Sequence, residues 1–92
     1  MRVLKHRPAL SPDTLESCIG VMRKKLDERL KEKGEGAWLS THEILGIVSE
    51  EFHELQHAVH ENNRSQVYWE LLDIAVACIF GMACLGEGTV DW

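Results

Sequence analysis

Ser40-Thr41-His42-Glu43-Ile44-Leu45-Gly46-Ile47-Val48-Ser49-Glu50-Glu51-Phe52-His53-Glu54-Leu55 opens as a helix and then places acid where a helix buries apolar side chains. Ser40 with Glu43 three residues on is a capping box, a helix start. From there Ile44, Ile47, Val48, Phe52, Leu55, Ala58 and Val59 recur at steps of three and four. At about 100° per residue they gather on one inner face. The helix is predicted to run to about His60, ahead of Glu61-Asn62-Asn63. Glu51 falls inside the apolar arc, between Ile47 and Leu55 in angle, and Glu54 lies at its edge.

Downstream, a further helix is predicted from Asn63 or Ser65 to about Leu85, stopped by Gly86-Glu87-Gly88. Its apolar residues, among them Val67, Trp69, Leu71, Leu72, Ile74, Val76, Ile79, Phe80 and Met82, encircle it. A helix apolar all round is a buried helix. Two partner helices from one short chain hardly cover it, so a homo-oligomer with this helix at its centre is expected. Upstream, Ser11-Pro12-Asp13 caps a helix with Pro in its first position and an acid at its positive end. Leu15, Ile19, Met22, Leu26 and Leu30 form its single stripe, and Gly34-Glu35-Gly36 ends it. The expected fold is all-α: a small bundle of three main helices in one domain, residues 1–92, completed by self-association. Strand patterns and internal repeats are absent from the sequence.

Composition narrows the function classes. Ninety-two residues bury a small core, for which association is a common remedy. A net charge of -5 argues against nucleic-acid and anionic-membrane partners. The longest apolar run, Ile74 to Leu85, falls short of the ~20 residues of a membrane span. The basic start Met1 to Arg7 leads into no apolar signal region. Cys18, Cys78 and Cys84 show no CxxC spacing and sit among apolar neighbours, which suits a reducing cytoplasm. Nine of the ten Lys and Arg residues lie in positions 1–33, where a solvated helix face is the simplest account.

The acids carry the chemistry. Glu51 and Glu54 are three residues apart and project about 60° from each other. Glu70 and Asp73 repeat that spacing on the third helix, with the small residues Ala77 and Gly81 following on the same face. Four carboxylates turned toward an apolar interior repel one another and lose hydration. Lys and Arg are missing from both apolar faces, so the natural counter-charge is a cation. Hard oxygen donors select Mg²⁺, Mn²⁺ or Ca²⁺ over zinc. Magnesium usually takes one or two protein carboxylates, so this many acids suggest more than one ion, or one carboxylate left to position water. The plain alternative is a solvated acidic edge, or pairing with Lys and Arg of the first helix.

Glu50-Glu51-Phe52-His53-Glu54, followed after fifteen residues by Glu70-Leu71-Leu72-Asp73, resembles the EExxE…ExxD signature of the MazG-type all-α nucleotide pyrophosphohydrolases. The resemblance spans about Ser40 to Leu85. It implies hydrolysis of a nucleoside triphosphate to the monophosphate and pyrophosphate, in an assembly of two or four helical subunits. It would make Glu51, Glu54, Glu70 and Asp73 magnesium ligands and Glu50 an outer carboxylate orienting water. Members usually carry a further helix supplying basic groups. Here only Gly86 to Trp92 remain, so phosphate contacts are expected from Lys31, Lys33, Arg64 or a neighbouring subunit. Trp38, just before the second helix, is a candidate for stacking a base, with core packing as its alternative.

His53-Glu54-Leu55-Gln56-His57 also reads HExxH, in which two His bind zinc and Glu54 acts as base. Both histidines fall on the polar side of the second helix, and no third ligand is evident beyond His60, His6 or His42. A non-catalytic helical oligomer, an inactive relative or a regulatory partner, is the remaining alternative.

Overall fold

The computed structural model describes residues 6–92; the basic start Met1–Lys5 lies outside them. Three helices follow in order, α1 over Pro12–Lys33, α2 over Thr41–His60 and α3 over Arg64–Gly86, with no strand among the described residues. Each boundary has a chemical cause. The Ser11 hydroxyl accepts from the Asp13 N–H at 3.2 Å, and Gly34, at φ 79°, returns its N–H to the Leu30 carbonyl at 2.9 Å. The Ser40 hydroxyl accepts from the Glu43 N–H at 3.0 Å, and the Asn63 side chain from the Gln66 N–H at 3.0 Å. Between α2 and α3 the chain reverses through Asn62, at φ 56°, a conformation Asn tolerates better than most residues.

The capping box closes one residue early, because Glu43 Oε1 accepts from the Leu39 N–H at 2.9 Å. Thr41 donates its N–H to the Asp91 carbonyl at 2.8 Å, and Asp91 donates to the Leu39 carbonyl at 2.7 Å. The Thr89 hydroxyl lies 3.2 Å from both the Trp38 and Cys84 carbonyls. Thr89–Asp91 therefore clamps the α1–α2 connection onto the end of α3, a role the sequence did not disclose.

α3 is the helix on which both others pack. The core is Trp38, Ala77, Phe80 and Cys84, with Leu26, Leu30, Ile44, Ile47, Val48 and Val90 around it. Trp38 meets Phe80 edge to face with ring centres 4.7 Å apart, and its N–H reaches Cys84 Sγ at 3.3 Å. At Gly81 a Cβ would sit 3.4 Å from Ile44 Cγ2 and 3.5 Å from Trp38 Cζ3. The space expected beside the acids is thus filled here by Ile44 and Trp38.

The three-helix, all-α expectation holds. The expected burial of α3 on every side does not hold within one chain. Tyr68, Trp69, Leu71, Ile79, Met82 and Leu85 are all exposed. On α2, Phe52 and Val59 face solvent although they were placed on its inner face, and α1 has no buried residue at all. The radius of gyration, 16.2 Å, exceeds the ~12 Å of a compact chain of this length. The molecule is elongated, 50 × 28 × 22 Å, and uncovered along much of its apolar surface.

Candidate metal centre

The acidic residues of α2 and α3 meet where the two helices pack. Glu51, Glu70 and Asp73 each bring one carboxylate oxygen to within 4.8 Å of the others. Glu70 is buried, and Glu51 and Asp73 are half-buried. Gln66 donates its side-chain amide to Glu70 Oε1 from the preceding turn of α3. The other Glu70 oxygen, Oε2, and Glu51 Oε2 are both shut off from solvent with no hydrogen-bond partner. A buried carboxylate oxygen without a donor loses its hydration for nothing, and here there are two.

The electrostatics follow from this crowding. Burial, then the charges of Glu54, Asp73, Glu70 and Glu50, raise the Glu51 carboxyl above its ordinary value. Asp73 is raised by burial, and Lys25 and Lys33 pull the other way. Glu54 is raised chiefly by the Glu70 carboxyl beside it. These groups are held in a state that a proton or a cation would relieve.

Two clefts flank the cluster. The first, about 390 Å³, is lined by Glu50, Glu51 and Asp73, by Lys25, Glu28, Arg29, Glu32 and Lys33 of α1, and by apolar residues that include Trp38 and Ala77. The second, about 630 Å³, is lined by His53, Glu54, His57, Glu61, Gln66 and Glu70 among others. Glu51 and Asp73 thus face one cleft and Glu70 the other, with the cluster in the wall between.

Of the sequence candidates, Glu51, Glu70 and Asp73 converge, Glu54 lies exposed outside the trio and lines the second cleft with Glu70, and Glu50 lines the first cleft. Lys33 lines that cleft; Lys31 does not, and Arg64, the first residue of α3, lines neither. Trp38 borders the first cleft but is only 8% exposed. The Arg29 guanidinium lies 5.3 Å from its ring centre and 4.3 Å from that of Phe80. Lys25 and Arg29 were missed, although 25, 29 and 33 are spaced four apart and share one side of α1.

His53 and His57 are exposed on α2; His57 Nε2 lies 3.6 Å from Glu61 Oε1, an open pair that contributes little. Among the described residues the only group of three potential ligands within reach of one ion is the acidic one, so the zinc reading lacks its third ligand. α3 is apolar and long enough to cross a membrane by length and composition, with a mean hydropathy of 1.7 over 18 residues. A helix at the centre of a bundle has the same composition, and this one carries Glu70 and Asp73. The chain matches no family model, no curated protein and no solved structure.

Proposed function

We propose that this chain is a magnesium-dependent nucleotide pyrophosphohydrolase that releases pyrophosphate from a nucleoside triphosphate. The observation that carries the reading is the convergence of Glu51, Glu70 and Asp73, with two buried carboxylate oxygens lacking any partner, beside a cleft whose α1 wall sets Lys25, Arg29 and Lys33 among Glu28 and Glu32. The donor set fits a hard divalent ion: all oxygen, anionic and without competing nitrogen or sulfur. Glu51, Glu70 and Asp73 would hold it, and Glu54, which lines the second cleft with Glu70, would be a further ligand once ionised. Magnesium in such a site neutralises phosphate charge and makes bound water a better nucleophile. Mn²⁺ would serve the same donors, and with Glu50 and Glu54 nearby more than one ion would be held.

The chain's own residues supply the rest. Lys25 and Lys33 face Asp73 across the first cleft, so a polyphosphate between the walls would meet ammonium groups opposite the acids. Glu50, which lines that cleft outside the converging trio, would accept a proton from water entering it. Arg29 covers the Trp38 and Phe80 rings and so closes the apolar floor. Trp38 serves the fold first, since its ring is buried and capped. In this reading the protein works as a cytoplasmic homo-oligomer, a dimer or tetramer, because one chain leaves α3 half bare.

The test is pyrophosphate release from a panel of ribo- and deoxynucleoside triphosphates, with Mg²⁺ or EDTA, for the wild type, Glu54→Gln and Glu70→Gln. The expected result is metal-dependent release that both substitutions abolish. Folded protein that releases no pyrophosphate from any nucleotide would overturn the reading and favour a non-catalytic helical oligomer.

A further inference from the structure

α3 has two apolar surfaces. One is covered by the rest of the chain and includes Leu72, Val76, Ala77, Phe80 and Cys84. The other is bare: Tyr68 is 43% exposed, Leu71 53%, Met82 65% and Leu85 56%, with Cys78 exposed and Ala75 half-buried between them. Positions 68, 71, 75, 78, 82 and 85 step by three and four in strict alternation, the spacing of a helix–helix seam. The seam contains no charge. The charged residues of α3 are Arg64, Glu70 and Asp73, and the two acids lie about 110° and about 170° round the helix from the seam's centre.

The order of side chains identifies the occupant. Along the seam they run large, large, small, small, large, large, and both sizes and steps read the same in either direction. Packed helices cross at an angle, closest at one point and diverging on both sides. Small residues at the middle and large ones at both ends suit a crossing at Ala75 and Cys78. A two-fold interface must be self-complementary, and this seam matches itself about its midpoint. We infer that the bare seam of α3 is covered by α3 of a second copy of this chain, the two crossing at Ala75 and Cys78.

Area supports the same occupant. Tyr68, Leu71, Cys78, Met82 and Leu85, all exposed, offer roughly 500 Å² of surface per copy, most of it apolar. A stable interface buries about 800 Å² per partner, and in homodimers about 65% of that is apolar, again roughly 500 Å². A neutral seam also lets two copies of a chain of charge -5 meet without bringing like charges together. This inference does not rest on the metal reading, and its test needs neither metal nor nucleotide.

The experiment is sedimentation equilibrium of the wild type, Leu71→Glu and Met82→Glu, with circular dichroism to check helix content. A Cys18→Ser variant is treated in parallel with a short bismaleimide linker. The wild type is expected above the 10.5 kDa monomer mass, and each glutamate to weaken association at least tenfold with helix content kept. Cys84 is buried, so the linker is expected to join copies through Cys78 and to lose that product in Cys18→Ser/Cys78→Ser. A monomeric wild type at tens of micromolar would overturn the inference. So would an assembly that keeps its mass in both glutamate variants and gives no Cys78-linked product. The linking result stands independently should one glutamate variant lose its helix content.

Discussion

Glu51→Gln should make the metal-free protein more stable and its magnesium response weaker, a pair of changes that ordinary core damage does not produce. With oxygens of Glu51, Glu70 and Asp73 within 4.8 Å, each charged pair repels by about 3.5 kcal/mol at an effective dielectric of 20. At the dielectric of water the same pair costs about 1 kcal/mol. Glu51 belongs to two of the three pairs, but it is only half-buried, so solvent screening takes most of this. A net gain of about 1–2 kcal/mol remains for the amide, which for a domain of this size raises Tm by about 5–15 °C. Magnesium at one hundred times its dissociation constant should add about 2.7 kcal/mol to the wild type. The amide has lost a charged donor and should gain much less at the same concentration. Thermal melts of both proteins in EDTA and across a magnesium titration read both quantities. A variant less stable than wild type in EDTA, or a wild type whose Tm ignores magnesium, would refute the crowding argument.

The raised carboxyls of Glu51, Glu54 and Asp73 set a pH dependence of unusual sign. The native state keeps protons that the unfolded chain has already released, so their cost is absent below the unfolded values near 4.5 and 3.8 and grows as pH rises through the folded ones. Melts in EDTA should give a higher Tm at pH 5 than at pH 8, with saturating magnesium shrinking the difference; a Tm that rises over that span would contradict it. Lys25→Ala or Lys33→Ala should raise KM for a triphosphate about tenfold, as expected for losing a hydrogen bond to a charged group, while Lys31→Ala, off the cleft, should stay within about twofold. Gly81→Ala should be nearly neutral because its Cβ meets Ile44 and Trp38 at ordinary contact distance. Gly81→Leu should cost about 1–3 kcal/mol by overpacking, read from the midpoint of urea unfolding.

How much of this was legible in the sequence depends on whether a feature is local or needs the tertiary arrangement. Ser11, Ser40 and Asn63 act on backbone groups within three residues, so caps and helix spans could be read directly. The acid pairs were legible as pairs, because i, i+3 spacing on one helix fixes their mutual direction. Which acids converge was not: helical spacing treats Glu54 and Glu51 alike, and only the packing of α2 on α3 brings Glu51 into the trio while leaving Glu54 exposed. On α1, Lys33 was named but Lys25 and Arg29 were missed for the same reason. They look like part of a solvated stripe until α1 is laid across α3 beside Asp73. Trp38 turned inward because Gly81 leaves the gap its ring fills, a correspondence forty-three positions apart in the chain. The all-round apolar pattern of α3 was legible too, and its shortfall of cover within one chain is itself informative. Composition alone demands burial on every side, whereas in one chain Tyr68, Leu71, Met82 and Leu85 stay exposed, and that mismatch is what the proposed pairing of α3 with a second copy would resolve.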